Sequence, residues 1–184
     1  QSMRVLGMRF ADSLLGQPQS PVPEPAIELD GTWLSDYTGD YTVGWSFALD
    51  EAITVTDVGQ LDSDGEGLYH DTRLAIFREQ DYEMLMTVQI PKNDSGPTSL
   101  LGHFRTVGVD PIRLEPGSYA IALQSFLDSP DRYVHEAAYT AADGVIHTGY
   151  RHQAGSVLTF PFSSGPSGAN ASWLGPNFWF VRDE

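Results

Sequence analysis

Beyond residue 31 the chain is cut into short β-prone runs by closely spaced turns, and that punctuation leaves little room for anything but a sheet protein. Residues 41–49 (YTVGWSFAL) place Tyr41, Val43, Trp45, Phe47 and Leu49 at every second position, the period that puts them on one face of a strand. Residues 52–58, 73–77, 83–90, 104–109, 118–123, 133–137, 157–160 and 177–181 read as further strands. The stretches SDGEG, KNDSGP, EPGS, AADG and SSGPSG separate them, supplying residues that turns favour for their φ values and side-chain hydrogen bonds. No segment has the spacing of a βαβ unit. About eight to ten short strands in one chain predict an all-β, two-sheet antiparallel sandwich, jelly-roll-like in connection.

The 184 residues include 25 acids and 10 bases, a formal charge of -15. A field of that sign repels nucleic acid and anionic membranes, so neither is an expected partner. No apolar run approaches the ~20 residues that span a bilayer as a helix. Cysteine is absent, which removes thiol catalysis, cysteine zinc sites and redox pairs. The sequence opens on Gln1, as an exported protein does once its signal peptide is removed, so an extracellular or cell-surface location is expected.

Residues 1–29 differ from the rest. Residues 3–10 (MRVLGMRF) are apolar and β-compatible, and residues 16–26 (GQPQSPVPEPA) carry Pro18, Pro21, Pro23 and Pro25. Prolines at that density favour a polyproline II spacer, and ten residues of it reach about 30 Å. The predicted layout is an apolar strand on a stiff arm (1–29) ahead of a sandwich domain (30–184). Val5, Leu6, Met8 and Phe10 are the candidate assembly strand. Given to a neighbour's sheet, they would gain main-chain hydrogen bonds as well as burial. The alternative is an edge strand of the chain's own sandwich.

The runs VGWSFALDEAITVTDVG, LDSDGEGLYHDTRLAIF, LLGHFRTVGVDPIRLEPGSYAIAL, LTFPFSSG and LGPNFWF together resemble a domain that recurs in secreted bacterial surface proteins. Many of those proteins carry the PEP-CTERM sorting tail recognised by exosortases. The resemblance covers residues 32–181 and implies a secreted β-sandwich, with no particular chemistry attached. Residues 22–25 (VPEP) are similar to the sorting motif itself but lie ahead of the domain, without an apolar helix or basic tail, and read as part of the proline arm.

The turn in residues 59–77 raises the question of a metal. Asp62, Asp64 and Glu66 alternate around Gly65 and Gly67, and Asp57 or Asp71 would complete a shell from a flanking strand. Calcium takes six to eight oxygens and is the candidate ion. The competing reading is a solvated β-turn, where Asp and Gly are favoured anyway. The five histidines have no zinc-helix spacing, and Gly165-Pro166-Ser167-Gly168 is not a nucleophile elbow, so a hydrolase is the weakest expectation. Among the aromatics, Trp45 reads as core, while Trp33, Tyr37 and Trp173 read as a ligand platform.

Two functions from different classes follow. The first is a non-catalytic structural subunit that forms a homo-oligomer, filament or surface layer by strand donation, with calcium offsetting repulsion between acidic copies. The second is a monomeric carbohydrate-binding or adhesive module that takes a polysaccharide on its aromatics.

Overall fold

A computed structural model describes residues 21–30, 34–37, 39–93, 96–131, 133–135, 137–155, 157–165 and 173–182. The described residues form strands and turns with no helix. In chain order the strands are β1 (Glu24–Pro25), β2 (Ile27–Asp30), β3 (Leu34–Tyr37), β4 (Tyr41–Leu49), β5 (Ile53–Leu61), β6 (Thr72–Arg78), β7 (Met84–Ile90) and β8 (Thr98–Leu101). They continue as β9 (Phe104–Leu114), β10 (Gly117–Ser125), β11 (Tyr133–His135), β12 (Ala138–Ala141), β13 (Val145–Ala154), β14 (Ser163–Ser164), β15 (Trp173–Leu174) and β16 (Pro176–Arg182).

Two sheets make the sandwich. One runs β1-β16-β5-β9-β8 and the other β14-β13-β4-β10-β6-β7, with every pairing antiparallel. The expected all-β sandwich is therefore the fold. Its pairing is nested: β6 pairs with β7, β5 with β9, and β4 with β10, and successive pairs lie in opposite sheets. A long hairpin rolled across two sheets produces that order, which is the jelly-roll principle. Two smaller ladders, β15-β11-β3 and β12-β2, complete the molecule.

The alternating face of β4 supplies the core. Trp45 and Phe47 are fully buried and meet Phe178 of β16 from the facing sheet, at ring-centroid distances of 5.8 and 4.9 Å. The Trp45 indole N–H donates to the Pro176 carbonyl at 2.8 Å, so the two sheets share a buried hydrogen bond as well as apolar contact. Asn177 is 1% exposed, and its amide reads the backbone of β2. Its Oδ1 accepts from Ile27 N at 3.2 Å, and its Nδ2 donates to Ile27 O at 2.7 Å. One side chain thus stands in for a neighbouring strand, which explains a buried Asn in the GPNF run.

Three expectations need correction. Residues 24–29 belong to the fold rather than to the arm: β1 pairs with β16, β2 pairs with β12, and Ala26 and Ile27 are core. Residues 157–160 are not a strand. They lie over the outer face of the six-stranded sheet, where Leu158 and Phe160 cover Ala75, Phe77, Ala120 and Ala122. Small alanines leave room there for a covering segment. The ten-residue β13 (VIHTGYRHQA) was not anticipated, because a register shift between His147 and Gly149 breaks its period.

Candidate functional site: the open flank of the sandwich

The acidic turn after β5 is closed on itself. The Asp62 side chain is fully buried, and its carboxylate accepts from Gly65 N and Gly67 N, both at 3.1 Å. The guanidinium of Arg105, from β9, donates to the same carboxylate through Nε at 3.0 Å and Nη2 at 2.7 Å. Nη2 also donates to Gly65 O at 3.0 Å. Gly65 and Gly67 have φ of +74° and +98°, a backbone that favours glycine and lets both amides turn inward. Four N–H groups thus satisfy Asp62, leaving its lone pairs little to offer a cation.

The other candidate ligands are dispersed. Asp64 is exposed and accepts from Glu66 N at 3.2 Å, a local Asx turn. Glu66 is exposed. Asp57 lies within β5 and accepts from the Thr56 hydroxyl at 2.8 Å. Asp71 accepts from Lys92 N at 2.8 Å. Among the described residues no three His, Asp or Glu side chains gather as a cation shell. The structure does not bring Asp57, Asp62, Asp64, Glu66 and Asp71 together. A buried carboxylate needs compensation, and Arg105 supplies it from 43 positions away.

The aromatic candidates that are described are placed only by their backbone. Trp33 lies outside the described residues. Tyr37 and Trp173 sit on strands β3 and β15, which flank β11, opposite Tyr133 and His135 respectively. Among the described residues Tyr69, Tyr82 and Phe162 expose their rings; Tyr82 is 54% and Phe162 59% exposed, with centroids 5.0 Å apart, and both rest against the buried ring of Phe160. Tyr82 holds a φ of +60°, uncommon for a non-glycine residue and compatible only with the tight turn between β6 and β7. That conformation carries no sequence signature, so loop-like sequence pointed instead to Trp33, Tyr37 and Trp173.

The least complete part of the molecule is the flank bordered by β7 and β9. β7 is an edge strand of seven residues, MLMTVQI, paired with β6 alone among the described residues. It contains neither proline nor charge, the devices that usually blunt an edge. Across the sandwich, β8 covers only residues 104–107 of β9. The remainder, residues 108–114, has β5 on one side and no strand on the other among the described residues. Two cavities of about 660 and 500 Å³ run along this flank and share Leu85 and Ile112 as walls. Leu85, Met86 and Val88 of β7, with Val109 and Ile112 of β9, touch the core yet remain partly exposed.

Charged groups frame the groove. Arg78, at the end of β6, donates to Asp81 through Nε at 3.0 Å and Nη2 at 2.7 Å and also pairs with Glu83, which pins the turn leading into β7. Asp81 holds its proton less readily than an ordinary aspartate because Arg78 donates to it. β1, where the described chain enters the five-stranded sheet, lies at the edge away from β9. Three strand spacings separate β1 from β9, about 14 Å.

Residues 3–10, with Val5, Leu6, Met8 and Phe10, lie outside the described residues. No helix of the described chain is long and apolar enough to cross a membrane. Comparison with family models and with curated proteins gives no match.

Proposed function

We propose that the protein is a non-catalytic extracellular structural subunit that self-assembles into a filament or surface layer by donating its N-terminal strand to a neighbouring copy. The observation that supports this reading best is β7, a seven-residue edge strand without proline or charge and, among the described residues, without a second neighbouring strand. Such an edge offers unpaired main-chain groups to another strand. The chain carries an apolar β-prone segment ahead of its proline run. Burying Val5, Leu6, Met8 and Phe10 is worth roughly 6–12 kcal/mol before ordering costs, and main-chain hydrogen bonds to the acceptor edge add to it. Head-to-tail addition need not close, so it extends into a polymer. The extracellular placement follows the resemblance to secreted surface domains. Calcium's proposed part is to screen repulsion between copies of charge -15.

The test is the mass of the full chain in solution. Replacing Val5, Leu6, Met8 and Phe10 together by Ser is expected to reduce assemblies to monomers without altering the melt of the sandwich. Assemblies of unchanged size would sink the reading.

A second reading, a carbohydrate-binding or adhesive module, is favoured by the exposed ring pair Tyr82 and Phe162. Retention on insoluble polysaccharide that is lost in Y82A/F162A, but kept when Trp33 and Trp173 become Ala, would support it and place it on these rings.

A further inference from the structure

We infer that the acceptor for the donated strand is the groove between β7 and residues 108–114, and that residues 3–10 of a second copy lie along β7 with Leu6, Met8 and Phe10 facing inward. This rests on the strand-donation reading above and adds where the strand goes. Length is the first argument. β7 has seven residues, about 23 Å of extended chain, and the donor has eight, about 26 Å. The terminal strands at the other edges of the two large sheets are shorter: β8 has four residues, and β1 and β14 have two each. None of them matches an eight-residue strand. Residues 108–114 of β9 are as long as β7 but carry Asp110, Pro111 and Arg113, which blunt an edge.

Pattern is the second argument. On an extended strand Leu6, Met8 and Phe10 share a face, with Arg4 at its end, while Val5, Gly7 and Arg9 take the other. β7 has the same division. Met86 and Val88 lie opposite Ile76 and Leu74, which are core residues, whereas Thr87 and Gln89 lie opposite Ala75 and Arg73 on the outer side. A strand added beside β7 would extend the row from Ile76 and Met86, and its three large side chains would fill the groove towards Val109 and Ile112.

Charge is the third. The donor carries Arg4 and Arg9 and no acid. The groove is lined by Glu79, Glu83, Glu115 and Asp110; the first three are met by Arg151, Arg78 and Arg113, so the rim keeps a small acidic excess. A basic strand on an acidic rim is complementary, and it offsets part of the repulsion between copies.

The chain has no cysteine, so introduced pairs report without background. In the full chain, Val5→Cys is combined with Thr87→Cys or Gln89→Cys, all on the outer face, where neighbouring side chains of paired strands lie within disulfide reach. Controls combine Val5→Cys with Leu101→Cys on β8 or Ile146→Cys on β13. Mild oxidation is expected to give ladders of dimers and higher multimers from a β7 pair, at least about tenfold above the controls in yield. Equal or greater yield from β8 or β13 overturns the acceptor and leaves strand donation standing. Absence of cross-links at β7, in a chain whose assemblies still depend on Val5, Leu6, Met8 and Phe10, does the same. A cross-linked species of monomer mass shows that each copy fills its own groove and overturns both readings, as does a chain that is monomeric throughout.

Discussion

The acidic turn and the β7 edge invert what their sequences suggest. The turn has the acids and glycines of a binding loop, yet its buried carboxylate is satisfied within the chain by two amides and Arg105. β7 looks like an ordinary strand, yet one of its sides has no neighbouring strand among the described residues. A concentration of polar residues therefore says less about where a partner binds than the balance of satisfied and unsatisfied groups does. The turn spends its charge on holding β5 to β9. The edge keeps its main-chain groups in reserve.

The largest expected effect breaks the closed region. Arg105→Ala would leave the Asp62 carboxylate buried without its cation and should cost about 3–5 kcal/mol in chemical denaturation. A loss under about 1 kcal/mol would mean that solvent reaches Asp62 and that the turn is less closed than its hydrogen bonds indicate. Met86→Lys acts on the open region. A charge facing the groove should weaken assembly at least tenfold, about 1.4 kcal/mol, measured by sedimentation across concentration. The monomer's melt should change far less than it does in R105A. If both variants lost stability alike and assembly stayed intact, the contrast between the regions would fail.

Acidification gives a smaller effect. His147 is half-buried against Trp45 and Tyr139, and that burial lowers its pKa from 6.5 to about 4. The unfolded chain thus binds a proton more readily than the folded one between those values, so stability falls as pH drops from about 6.5 towards 4. His147 keeps some solvent contact, so the loss should be about 1–2 kcal/mol, and H147Q should remove it. Asp131, raised by burial, contributes with the opposite sign at lower pH. A melt series that falls equally with and without His147 would assign the loss to other groups. The smallest effect sharpens the contrast directly. Chelation should leave the melting midpoint of the monomer within about 1 °C, since N–H donors already fill Asp62, while shifting any assemblies towards smaller sizes. A large fall in the midpoint would restore the turn as a metal site.

The parts of the fold that are legible in the sequence share one property: they are apolar runs bounded by turn residues and buried over most of their length. β4, β6, β10 and β16 emerged within a residue or two of their bounds for that reason. β13 did not, because its bulge and its mixture of His, Gly and Arg hide the period. Residues 157–160 misled in the opposite direction, since an apolar lid over alanines alternates like a strand. The partner of Asp62 was out of reach because pairing across 43 positions is set by the β5–β9 ladder, which no local pattern encodes. β7 was visible as a strand but not as an edge, since edge position belongs to the sheet order and not to the seven residues themselves.

The buried bond from the Trp45 indole to the Pro176 carbonyl joins positions 131 residues apart. The surroundings of Trp45 are complete only once β16 is in place, because β16 both covers that tryptophan and pairs with β5. Ring closure over so long a stretch is slow. Burial of this tryptophan is thus a late event in folding, one that reports the joining of distant strands rather than the formation of local hairpins.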